Sequence, residues 1–135
     1  MPRKPKQPKD KRKEAEIQAE CVQWFKTTFP NQIIFSVPLE AARNSWTKYE
    51  KMGALRGSPD LLLTLRNHIF FVEMKASWGE LSQAQLEFQA RCEALGIGYH
   101  VVKNLDDFKR AILAEWDKIQ ENEPPKQEIH RNIRL

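Results

Sequence analysis

The sequence predicts an α/β domain, a mixed β-sheet flanked by helices. Three observations carry that expectation. Apolar residues recur at helical spacing in three segments, near 14–28, 81–95 and 105–119. Two short apolar runs, Leu61 to Leu65 and Ile69 to Val72, are separated only by Arg66-Asn67-His68, a gap that demands a hairpin. A third strand-like run, GYHVV, lies between the second and third helical segments. The order reads α-β-(α)-β-β-α-β-α, and 135 residues suffice for one hydrophobic core.

Each element has its own local reason. Ile17, Cys21, Trp24 and Phe25 form the apolar stripe of the first helix, which Pro30-Asn31 ends. QIIFSV, residues 32–37, reads as a strand stopped by Pro38. Residues 40–57 have weak periodicity and read as a loop followed by a short helix ending near Gly53. Beyond the hairpin, Ser82 is a good N-cap, with Gln85 three residues on to complete a capping box. Leu81, Ala84, Phe88, Cys92 and Leu95 are the expected buried stripe of that helix, and Gly96 closes it. Leu105, Phe108, Ile112 and Trp116 face inward from the last helix. Pro124-Pro125 then forbids further helix. The expected boundaries are a disordered basic arm over 1–13, a folded domain over 14–120 and a polar tail over 121–135.

Composition and charge exclude several classes. The chain is 41% hydrophobic and 30% charged, ordinary for a globular protein. No apolar run approaches a membrane span, and the basic N-terminus lacks the apolar stretch of a secretory signal. A cytoplasmic location follows as an expectation. Cys21 and Cys92 stand alone and read as reduced core residues; His68, His100 and His130 are scattered, which argues against a zinc finger or a paired-histidine nuclease. The net charge is +4, but residues 1–13 alone hold seven Lys/Arg and one Asp. The basicity is therefore in the arm, and the body is nearly neutral. Such an arm, with Lys11, Arg12 and Lys13 nearest the domain, suits a phosphate backbone. Composition fits a solubilising tail equally well.

The stretch GSPDLLLTLRNHIFFVEMK holds the chemistry. Side chains alternate faces along a strand, so Ile69, Phe71, Glu73 and Lys75 share one face, and Phe70, Val72, Met74 and Ala76 the other. A two-residue turn at Arg66-Asn67 sets Asp60 opposite Glu73; a turn at Asn67-His68 sets it opposite Lys75. Both gather the three ionisable groups on one face. A three-residue turn would set Asp60 opposite Met74, on the wrong face. Two adjacent carboxylates raise each other's pKa unless a cation intervenes. A hard divalent ion removes that conflict, since Mg²⁺ takes one or two carboxylates with water and substrate phosphate. The Met74 backbone carbonyl offers a further oxygen. Lys75 can orient or deprotonate a water, or offset charge on a phosphorane-like transition state. The pattern suits metal-assisted phosphodiester hydrolysis.

SPDLLLTLRNHIFFVEMKASWGELSQAQLEF resembles the PD-(D/E)xK nuclease superfamily, and more narrowly its virus-type replication-repair nuclease domain, VRR-NUC. The matching pieces are Gly57/Pro59/Asp60, Glu73/Lys75 and Gly79/Leu81/Ser82/Gln85, in that order. The resemblance spans roughly residues 14 to 112. It implies a restriction-endonuclease-like core using Mg²⁺ or Mn²⁺, with Asp60 and Glu73 as ligands and Lys75 as the catalytic lysine. It also implies a first-helix glutamate in an E-x-x-x-Q pattern, matched by Glu14 and Gln18, with Glu16 and Glu20 competing on spacing, and a Gln85 that reaches the active site. Residues 38–43 resemble a P-N-G-G-x-R segment without its glycines, leaving Arg43, Lys48, Lys51 and Arg56 as candidate phosphate contacts. The resemblance implies an endonuclease selective for branched DNA such as four-way junctions, acting as a homodimer. A flap-directed or restriction-like nuclease, or a non-catalytic DNA-binding protein on the same fold, are the alternatives.

Overall fold

The computed structural model describes residues 11–37 and 45–122. Residues 1–10 of the expected arm, Arg43, and the tail from 123 lie outside the described residues. Helix α1 is Lys11–Thr28, so it begins three residues before the expected Glu14, and Lys11 to Lys13 belong to its first turn. Strand β1 is Ile34–Ser36, shorter than the expected 32–37, and α2 is the six-residue Trp46–Lys51. Strands β2, Leu61–Leu65, and β3, His68–Met74, form the hairpin. Helix α3 is Gln83–Leu95, strand β4 Gly98–Val102, and helix α4 Leu105–Asn122. None of the described helices is long and apolar enough to cross a membrane.

The sheet is mixed, in the order β1-β2-β3-β4, with β1/β2 and β2/β3 antiparallel and β3/β4 parallel. Parallel neighbours need a crossover, and α3 supplies it. Leu65 pairs with His68, so the turn is the two-residue Arg66-Asn67 alternative. Arg66 takes the left-handed conformation, φ 55, and its guanidinium lies 5.0 Å from the Trp116 ring centroid. Gln32 braces this end: its Oε1 accepts from the Thr64 hydroxyl at 2.9 Å and from the Arg66 amide at 3.0 Å.

One face of the sheet carries the core. Leu61, Leu63, Leu65, Phe70, Val72, Met74 and Val102 meet Cys21 and Phe25 of α1 and Phe108, Ala111, Ile112 and Ile119 of α4. Each large aliphatic or phenyl side chain among them contributes about 1.5–3 kcal/mol on leaving water. Trp24 stands edge-on to Phe108 at 5.9 Å. Both cysteines are free and buried, as expected, and burial pushes the Cys21 thiol up to about 11.

The other face is covered only in part. Phe88 of α3 packs edge-on against Phe71 at 5.3 Å and lies 5.9 Å from Tyr99. The expected α3 stripe needs one correction. Cys92 is buried, but Leu95 is 72% exposed. Gly96, at φ 71, closes that last turn.

Two of the histidines, His68 and His100, are less scattered in space than in sequence. Glu115 of α4 is fully buried, and its two oxygens bind His68 Nε2 at 2.6 Å and His100 Nε2 at 2.7 Å, with Lys118 Nζ at 3.2 Å. Burial pushes this carboxyl up, but bonds from His100 and His68 and the Lys118 charge outweigh it, leaving the pKa near 2. Gly98 makes the room, since a Cβ there would sit 2.0 Å from Glu115 Oε1. Glu115 thereby ties α4 to both β3 and β4.

Candidate active site

The site begins with a close approach of backbone to backbone. Gly57 has φ +80, and a Cβ on it would lie 2.2 Å from the Ala84 carbonyl oxygen. Only glycine lets residues 57–60 lie against the first turn of α3. Pro59 is buried behind it. Asp60 follows, and the observed register continues one step past Leu61↔Val72 to set it opposite Glu73. Its Oδ2 accepts from the Met74 amide at 2.8 Å, while the Asp60 carbonyl accepts from the Val37 amide at 2.9 Å.

Glu73 is 3% exposed and Lys75 6%. Glu73 Oε1 accepts from Gln85 Nε2 at 2.7 Å and lies 3.9 Å from Lys75 Nζ. Glu73 Oε2 is buried with no hydrogen-bond partner among the described residues. Gln85 uses both ends of one amide: Oε1 accepts from the Ser82 amide at 2.9 Å and Nε2 donates to Glu73. The capping box of α3 and the contact with the acid are thus one device. Glu14 reaches round the sheet end from α1, its Oε1 accepting from the Ala76 amide at 3.0 Å. Glu16 and Glu20 point to solvent.

The electrostatics follow from this crowding. Burial and the Asp60 charge, opposed by Lys75, push the Glu73 carboxyl up to about 8. Burial likewise raises Asp60, against the Met74 amide and the Lys75 charge, with Glu14 adding to the rise. The Tyr99 hydroxyl, on the same sheet face, is buried with no hydrogen-bond partner among the described residues and is pushed up by burial and by Glu73 and Asp60. Two acids that resist ionisation, one with a bare buried oxygen, fit a hard cation that would stabilise their charged forms. The carboxylates of Glu14, Asp60 and Glu73 do not converge into a closed cage, however; among the described residues no three His, Cys, Asp or Glu do. Asp60 and Glu14 each spend an oxygen on a backbone amide, and Met74 enters through its amide.

The basic candidates stand apart from this cluster. Arg56 pairs with Glu50 at 2.8 Å and lies 4.8 Å from the Trp46 ring centroid. Lys48 lies 5.9 Å from the Tyr49 ring centroid, and Lys51 is exposed in the last turn of α2. Lys13 lies 5.7 Å from the ring centroid of Trp78, a residue sequence reasoning passed over. Its position between E-x-K and the α3 cap was the available signal.

Two solved structures share this architecture. One, described as a VRR_NUC domain, superposes with a TM-score of 0.54 at 24% identity, covering 83% of this chain and 98% of that one. The other, described as a VRR_NUC domain protein, has a TM-score of 0.59 at 25% identity, covering 76% of this chain and 86% of that one. The sequence matches no family model and no curated protein. The chain has the VRR-NUC fold that its motifs resemble, with the mixed four-stranded sheet and flanking helices of the PD-(D/E)xK nucleases.

Proposed function

We propose that this chain, a VRR-NUC fold, is a divalent-metal-dependent endonuclease hydrolysing DNA phosphodiester bonds. The observation that supports it best is the buried acidic pair, Asp60 opposite Glu73, with Glu73 Oε2 left without a partner and Lys75 alongside. Asp60 and Glu73 would hold Mg²⁺ or Mn²⁺, with Glu14 and the Met74 carbonyl as further oxygens. When bound, the ion supplies neutralisation of the carboxylates and of the scissile phosphate. The protein's own groups do the rest. Gln85 holds Glu73 by Oε1 so that Oε2 stays directed away from the amide. Lys75 orients the attacking water and offsets charge gathering on the phosphorus centre. The water's oxygen joins phosphorus, one P–O ester bond breaks, and the leaving oxygen takes up a proton.

Phosphate contacts fall to Lys11, Arg12, Lys13, Arg43, Lys48, Lys51 and Arg56, which position DNA without reading it. Specificity then comes from DNA shape, with branched DNA as the proposed substrate and a two-fold homodimer as the form that cuts it symmetrically. An apolar sheet face supports pairing: Ile33, Phe35 and Ile69 are 58%, 50% and 51% exposed beside the part that α3 covers. The test compares Mg²⁺-dependent cleavage of four-way junction, flap and linear duplex by the wild type, Asp60→Ala and Lys75→Ala. Junction cleavage lost in both variants is expected. A wild type that binds DNA without cutting it, or variants that cut as well, would sink the nuclease reading; cleavage of linear duplex as fast as junction would sink the branched-DNA reading alone.

A further inference from the structure

Each of the four tryptophans has a cation near its ring, so that contact alone singles out none of them. Trp78 differs in two ways. It is 46% exposed, whereas the other three are partly buried, and it sits three residues beyond Lys75 on the segment leaving the acidic cluster. That segment is pinned at several points. Glu14 accepts from the Ala76 amide, the Gly79 amide donates to the Ala76 carbonyl at 2.8 Å, and Lys103 Nζ donates to the Ser77 carbonyl at 3.3 Å. The turn around Trp78 is built tightly, since a Cβ on Gly79 would lie 3.3 Å from the Ala76 carbonyl oxygen and 3.4 Å from Lys75 Cδ.

An indole half in water on a pinned turn forgoes the burial its area could give. The cations do point to a partner: Lys13 at the ring and Lys103 one residue away put positive charge beside a flat aromatic surface. Aromatic faces flanked by cations are how unpaired nucleobases are held, the ring stacking on the base and the cations meeting the backbone. A base inside an intact duplex offers no free face, so an aromatic platform of this kind would select DNA with unpaired nucleotides.

We infer that Trp78, flanked by Lys13 and Lys103, is a stacking platform for an unpaired nucleobase beside the scissile phosphate. This rests on the nuclease reading and deepens it, adding a positioning residue that favours frayed or branched DNA. The test measures binding in EDTA, where no cleavage occurs, by fluorescence anisotropy and by tryptophan quenching. The probes are a blunt duplex and the same duplex bearing an unpaired single-stranded arm. Wild type should prefer the armed duplex, and its tryptophan emission should be quenched by the arm. Trp78→Ala should lose about tenfold in affinity for the armed probe, at least fivefold more than for the blunt one. Trp78→Phe, which keeps an aromatic face, should recover most of the loss. Equal losses on both probes, or no loss on the armed one, overturn the inference while leaving the nuclease reading intact. A wild type that neither binds nor, with Mg²⁺, cuts either probe overturns both.

Discussion

Gly57→Ala tests how the site is assembled, because the structure gives its cost in two separable parts. The first is backbone strain: at φ +80 an L-residue costs about 1–2 kcal/mol. The second is overlap. The new Cβ would sit 2.2 Å from the Ala84 carbonyl oxygen and 2.8 Å from the Gln85 amide nitrogen, so α3 must retreat by about 0.8 Å to restore a 3.0 Å contact. Overpacking of that kind costs about 1–3 kcal/mol. Gly53→Ala is the matched control, since Gly53 has φ +103 but nothing within 4 Å of the added atom. The variants should differ by the overlap alone, placing Gly57→Ala about 4–12 °C lower in melting temperature. Cleavage should fall further than stability does, on the order of 10²-fold, because retreat of α3 carries Gln85 away from Glu73. Thermal melts by circular dichroism and cleavage rates below both melting points provide the assay. Equal melting temperatures for the two variants would refute the reasoning, as would a Gly57→Ala protein that melts lower yet cleaves at the wild-type rate.

Other perturbations separate the two buried acids. Glu115 is lowered in the folded state from 4.5 to about 2, so its contribution is present above pH 4.5 and lost as pH falls through 2. Glu115→Gln should therefore cost about 2 kcal/mol at pH 6, with the gap narrowing below pH 4.5 in urea melts. Glu73 has the opposite sign: raised from 4.5 to about 8, it makes metal-free wild type lose stability as pH climbs through that window. Metal-free Glu73→Gln should gain stability relative to wild type as pH rises from 4.5 to 8; a variant that loses ground to wild type across that window would contradict the assigned burial. Mg²⁺ or Mn²⁺ at about 100 times its Kd should stabilise wild type by about 2.7 kcal/mol, more readily at pH 8 than at pH 6, and leave Asp60→Ala unmoved in the same melts.

The sequence was most informative where period and turn length constrain geometry. Alternation put Glu73 and Lys75 on one face, and a short gap forced the hairpin that returns Asp60 to them. It left two productive registers open because Arg66-Asn67-His68 contains no glycine to mark the positive φ, which Arg66 adopts. Spacing made Gln85 legible as the capping-box partner of Ser82, and the family resemblance implied the reach to the acid that its Nε2 makes. Glu115 was missed, although a charge on the Phe108–Ile112–Ile119 stripe was a visible anomaly. Its partners His68 and His100 are 47 and 15 residues away, and only the sheet brings them to it. Leu95 fitted the stripe of α3, but periodicity says which residues align and nothing about where the covering surface ends. The Gly57 contact with Ala84 is likewise tertiary, invisible until α3 has been docked.

The central claim is that Asp60, Glu73 and Lys75 form a hydrolytic centre for DNA. Single-turnover cleavage of a labelled four-way junction by wild type and Lys75→Met, with binding measured alongside in EDTA, tests it most directly. The account predicts Mg²⁺-dependent cutting by wild type and a loss of at least about 10²-fold in rate for the variant, at unchanged affinity for the junction. A Lys75→Met protein that cuts at the wild-type rate, or a wild type whose cutting persists unchanged in EDTA, would contradict it.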